Sequence, residues 1–105
     1  MVQAHPFRNG SVVLNPEFLD GVEINSHPLY GKSFAEELLE IAEKNNLLVT
    51  SGGDYHADTY KPKCGMEIPK EIKTEKELGA FLLNGEKKEI IFQEPNAESI
   101  TKIKI

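Results

Sequence analysis

The chain holds a single cysteine, Cys64, among its 105 residues, so no internal disulfide can form and the fold must rest on packing. A lone thiol fits a cytoplasmic protein, and Cys64 reads as an ordinary thiol rather than a nucleophile or a ligand. No apolar run approaches the ~18 residues that span a bilayer, and the start lacks the basic-then-apolar order of a secretory leader. Basic residues are also short. Lys and Arg number 12 against 17 Asp and Glu, giving a formal net charge of -5 and a pI near 5.2. That balance withholds the basic face that general nucleic-acid affinity needs. A nucleotide held at one site remains open, because a bound metal would reverse the local charge. Without internal repeats or low-complexity linkers, the sequence predicts one domain over residues 1–105 with a single modest core.

What is present alternates between short apolar runs and helix signals. Val2-Gln3-Ala4 reads as the end of a strand, and His5-Pro6 predicts extended backbone, because a residue before proline avoids the helical region. Asn15-Pro16-Glu17-Phe18-Leu19 reads as a short helical turn capped by Asn15, and Gly21-Val22-Glu23-Ile24-Asn25 as a second strand. Ser33 and Glu36 have capping-box spacing, followed by Phe34, Leu38, Ile41 and Ala42 on one face of a helix that Asn45-Asn46 ends. Leu47 to Thr50 is a third strand, so strands two and three are expected to be parallel with the helix as crossover. Residues 58–69 read as a long loop over the site. Thr74 and Glu77 open a second capped helix that stops at Gly85, and Glu89–Phe92 and Thr101–Ile105 read as two closing strands. The class is α/β.

In parallel sheets, ligands bind beyond the carboxyl ends of the strands. His5, Glu23, Asn25, Asp54 and His56 all fall at or just past such ends. Asp54 and His56 are two residues apart, so they share a face if the run continues as a strand. An Asp oxygen and imidazole nitrogens suit zinc, manganese or iron, which makes His5, Asp54 and His56 the candidate metal ligands. The plainer alternative is that strand ends carry polar caps anyway and that these residues anchor loops. Gly52-Gly53 permits a close backbone approach or an ordinary tight turn. Glu23 and Asn25 share a face and either orient ligands or cap neighbouring backbone. Arg8 either clamps a phosphate or lies solvated at the surface. His27, before Pro28, reads as exposed, and Tyr55 as a packing residue.

Three segments together carry a family resemblance: Ala4-His5-Pro6-Phe7-Arg8, Leu19-Asp20-Gly21-Val22-Glu23-Ile24-Asn25 and Thr50-Ser51-Gly52-Gly53-Asp54-Tyr55-His56. In order and spacing, through about residue 66, the chain resembles the C-terminal half of the PHP (polymerase and histidinol phosphatase) family of metal-dependent phosphoesterases. Residues 67–105 resemble the PHP-associated C-terminal region. The resemblance implies part of a distorted (βα)7 barrel with about three parallel strands and crossover helices, followed by a helix and two strands. It implies metal-ligand positions at His5, Asp54 and His56, with Glu23 near the site. Gly53 stands where the family usually has serine. The family's opening His-x-His motif and its central His and Glu ligands would precede Met1, so these residues supply a minority of a two- or three-metal cluster.

Parallel neighbours lie ~4.8 Å apart, which puts strands one and three ~10 Å apart across strand two. A closed barrel would aim His5 and Asp54 at one point, whereas an open half-sheet weakens that convergence and exposes an apolar edge that invites pairing. The expected function is phosphate-ester hydrolysis, with metal polarising the phosphoryl oxygen and supplying hydroxide, and Arg8 steadying the substrate. The competing expectation is a non-catalytic metal-binding or assembly subunit, or a remnant of a longer protein. Expected partners are a second copy or a separate N-terminal half-barrel, with a small phosphate ester as ligand and no membrane.

Overall fold

Strand β2, Gly21–Asn25, is the centre from which the molecule is built. Its alternation sends Val22 and Ile24 to one side, where both are fully buried, and Glu23 and Asn25 to the other. The computed structural model describes residues 1–8, 11–25, 32–54, 63–94 and 97–105. β1 (Val2–Gln3) and β3 (Leu48–Gly52) flank β2, both parallel to it, in the order β1-β2-β3. The register pairs Val2 with Gly21 and runs from Gly21 opposite Leu48 to Asn25 opposite Gly52. All three strands therefore end at one edge of the sheet.

Helix α1, Ala35–Asn45, is the crossover from β2 to β3 and buries Ala35, Leu38 and Ala42. Leu39 and Phe34 pack against the same core, whereas Ile41 is only half-buried. Asn46 ends the helix in the left-handed region at φ 53°, as the Asn45-Asn46 signal predicts. The start differs from the capping box expected at Ser33. Phe34 occupies the cap position at φ 58° with no side-chain cap of its own, and Glu36 is exposed. The Ser33 hydroxyl instead accepts from the Ala35 N–H at 3.1 Å and donates to Glu94, whose other oxygen accepts from the Ser33 N–H at 2.9 Å. A carboxylate 61 positions away has taken the role assigned to Glu36. Between β1 and β2 the described residues include a 3-10 turn, Pro16–Phe18, with Asn15 accepting from the Glu17 N–H.

A second sheet, antiparallel in the order β4-β5-β6, joins β4 (Gly65–Met66), β5 (Glu89–Phe92) and β6 (Thr101–Lys104). β4 lies inside the stretch expected to be loop. Two residues carry too little periodicity to announce a strand, and only pairing with β5 makes one. Ile90 and Phe92 reach the core formed by Leu19, Val22, Ile24, Leu38 and Val49. Ser51 pins the sheets together: its hydroxyl donates to the Ile91 carbonyl at 2.6 Å and accepts from the Gly65 N–H at 3.3 Å.

Helix α2, Glu75–Leu83, buries no residue fully, and Leu83 is 78% exposed. Its ends hold it instead. Thr74 accepts from the Glu77 N–H at 3.1 Å and its hydroxyl donates to the Glu77 carboxylate at 3.0 Å. Beyond Asn84, Gly85 takes φ 77° and stops the helix. Lys88 is buried, and its ammonium donates to Asn84 Oδ1 and the Glu86 carbonyl while lying 5.1 Å over the Phe81 ring. The architecture is α/β, with a three-stranded parallel sheet and, among the described residues, two α-helices. Among the described residues, no helix is long and apolar enough to cross a membrane.

Candidate functional site

The carboxyl ends of the three parallel strands meet in a chain of polar contacts. Beyond β1, the segment from Ala4 to Arg8 turns sharply, with His5 at φ 32° and Phe7 at φ 72°. The extended backbone expected before Pro6 is therefore absent, because the His5 N–H is turned to donate to Glu23 Oε1 at 3.0 Å. Phe7 packs against Phe34 with ring centroids 5.5 Å apart, which anchors the turn beside α1. From it Arg8 extends across the edge of the sheet. Its Nη1 donates to Asp54 Oδ2 at 2.5 Å and its Nη2 to Asn25 Oδ1 at 2.5 Å. The Asn25 amide then donates to Glu23 Oε1 at 3.0 Å. One side chain thus spans from the first strand to the third, a gap that two parallel spacings set at about 10 Å.

Donors and acceptors alternate along this chain. A guanidinium fork fits a carboxylate on one prong and an amide oxygen on the other, which leaves the Asn25 nitrogen to face Glu23. The Arg8 side chain is 11% exposed and that of Asp54 26%, so the pair is screened by water far less than a surface pair. Glu23 is held from below as well. A Cβ on Gly52 would fall 2.3 Å from Glu23 Oε2, so any side chain there would push the carboxylate aside. Asp54, two residues beyond β3, takes φ 51°, a left-handed conformation that Asp tolerates better than most residues.

The cluster carries two carboxylates to one guanidinium, and Cys64 lies within its field. Burial first, and the Glu23 charge second, push the Cys64 thiol above its ordinary value, so it stays protonated at neutral pH. Ser51 sets this proximity by fastening Gly65, the next residue, to β3.

Of the sequence-predicted site, the structure gathers Arg8, Glu23, Asn25 and Asp54, while His5 joins through its backbone N–H. His56, Tyr55 and His27 lie outside the described residues. Among the described residues, no group of three or more His, Cys, Asp or Glu side chains is placed to hold a metal ion. Within the cluster, Arg8 sits on Asp54 Oδ2, and Glu23 Oε1 accepts from two N–H donors. Two features escaped the sequence. The Arg8 side chain is largely buried and bonds Asp54 and Asn25, and Cys64 lies close enough to Glu23 to feel its charge. An arginine and an aspartate at the ends of strands that flank a common neighbour was the available signal for the first.

The chain matches no protein-family model, no curated protein and no solved structure. Functional assignment therefore rests on the residues and their geometry.

Proposed function

We propose that the strand-end cluster is one wall of a metal-dependent phosphoesterase site of the PHP kind, in a chain that forms part of such a barrel. In this reading His5, Asp54 and His56 are the ligand positions for zinc, manganese or iron, Arg8 is the phosphate contact and Glu23 supports the wall. The observation that carries it is the meeting of Arg8, Asn25 and Asp54, drawn from three strand ends onto one edge of a parallel sheet. Such edges are where α/β folds bind ligands. What the chain's own residues contribute is positioning: Glu23 fixes the His5 turn, Asn25 and Asp54 fix the guanidinium, and Gly52 lets the strand approach. The partner in this reading is a second copy or a separate half-barrel. Val2, Val12, Leu14 and Phe18 are exposed on or near edge strand β1, where the Gln3 amide bonds the Val12 carbonyl and Leu14 N–H.

The test is hydrolysis of generic phosphate esters by pure protein supplied with manganese or zinc, with the oligomeric state measured in the same sample. Turnover that requires metal and disappears in Asp54→Ala supports the reading; no turnover by the metal-supplied protein ends it for this chain alone. One observation favours a non-catalytic module instead. The Arg8–Asp54 pair gives Asp54 a cation from within the chain, so the edge can close as a purely structural knot. That module predicts unchanged folding in chelator and no turnover under any metal.

A further inference from the structure

Strand β6 is the outer strand of the antiparallel sheet, and one of its edges has no strand paired to it among the described residues. Lys88 and Ile105 exchange both backbone bonds, each at 2.7 Å, so theirs is a hydrogen-bonded pair and the pairs alternate from there. Ile103 and Thr101 therefore bond β5, while the N–H and C=O groups of Lys102 and Lys104 point to the open edge. Beside that strand lies a cleft of about 440 Å³ between β6, helix α1 and the start of β3. Leu39, Ala42, Leu47, Val49, Ile103 and Ile105 line it. We propose that this cleft takes an extended peptide in which acidic and apolar residues alternate, added as a further strand beside β6. Leu47 precedes β3 and Asp54 follows it, so the cleft lies at the opposite edge of the parallel sheet from the strand-end cluster and is a separate site.

The pleat sorts the side chains of such a strand. Ile103 and Ile105 are half-buried and packed on the core, whereas Lys102 and Lys104 are exposed on the other face. Residues set opposite Ile103 and Ile105 enter the cleft against Leu39 and Ala42, which suits apolar side chains. Residues set opposite Lys102 and Lys104 meet ammonium groups, which suits Asp or Glu. Lys102 also lies 3.5 Å from Glu67 and 3.9 Å from Glu89. Lys87 and Lys104, both exposed and both on the cleft, have no ion-pair partner among the described residues, and the acidic residue of the lining is Glu43, on the α1 wall. A second copy of the chain fits less well, because two β6 strands in register set lysine against lysine. Lysines on an edge strand deter neutral or basic strands, and the same charges select an acidic one. Backbone bonds to Lys102 and Lys104 supply affinity, the cleft holds the apolar side chains, and the lysines choose the partner.

The experiment measures binding of the fluorescein-labelled peptide Glu-Val-Glu-Val-Glu-Val-Glu to the 105-residue chain by anisotropy, beside the same peptide with Lys for Glu. The acidic peptide should bind at least about tenfold more tightly, and Lys104→Glu should weaken it about fivefold or more. A second measurement needs no variant: on the parent chain, the acidic peptide should slow hydrogen exchange at the Lys102 and Lys104 amides. Equal binding of the two peptides overturns the proposal, as does no binding of the acidic one at about 1 mM. Folded Lys104→Glu that binds as tightly as the parent overturns it, and so does slowed exchange elsewhere with Lys102 and Lys104 unchanged. A dimeric chain whose Lys102 and Lys104 amides are already protected without peptide gives the edge to a second copy and overturns it too.

Discussion

The two faces of β2 are built from alternate residues and do opposite work. Val22 and Ile24 join Leu38, Val49, Ile90 and Phe92 in one apolar core. Glu23 and Asn25, on the other face, are also largely removed from water and make directed contacts, among them those to His5, Arg8 and each other. The first face tolerates any arrangement that fills space, and its contribution scales with area. The second tolerates almost no change, since each polar group lost leaves another without a partner. A period of two residues lets one short strand keep the fold's stability apart from its chemistry.

The comparison breaks first on the apolar face. Ile24→Ala removes a fully buried side chain and should cost about 3 kcal/mol, within the ~2–5 kcal/mol range of such truncations. Urea unfolding checks this, and a loss below ~1 kcal/mol would mean that β2 is not the centre of the core. On the polar face, Glu23→Ala strips the acceptor from the His5 N–H and the Asn25 amide and should cost about 1–3 kcal/mol. Gly52→Ala acts through the same carboxylate, by pressing a methyl group on Glu23 Oε2, and should cost less, ~1 kcal/mol, because the carboxylate can yield. The two should not add. In Glu23→Ala the further change Gly52→Ala becomes nearly free, and additive costs would show that Gly52 serves something other than Glu23.

The smallest effect is chemical. Cys64 should react with iodoacetamide at pH 8 more slowly than a free thiol, and Glu23→Gln should speed it modestly, since burial is the larger cause of its raised pKa. The sign for stability follows. The protonated thiol is favoured by the fold, so its contribution is complete below the ordinary thiol range. It fades as pH rises through the folded value. Faster reaction than a free thiol would place Cys64 outside the cluster's field.

Much of this was readable in the sequence where signals are local. Alternation marks β2, Asn46 marks the end of α1, and the Thr74–Glu77 spacing marks the start of α2. The misreadings share one cause, a partner distant in the chain. Ser33 has the spacing of a cap, but Glu94 claims it; β4 exists only through β5. The Arg8–Asp54 contact is not legible because nothing near Arg8 in sequence is acidic, while Asp54 lies 46 positions on. The candidate site was legible as a set of strand ends, which topology fixes, and illegible as a set of contacts, which side-chain reach decides.

Whether those contacts form a real unit is tested most directly by a double-mutant cycle between Arg8 and Asp54. Arg8→Gln, Asp54→Asn and the double variant are compared with the parent by urea unfolding in chelator. A partly buried, charge-assisted pair predicts a coupling energy of at least about 1 kcal/mol. Single losses that simply add, to within ~0.3 kcal/mol, would mean that Arg8 and Asp54 do not hold each other and that the strand ends form no common site.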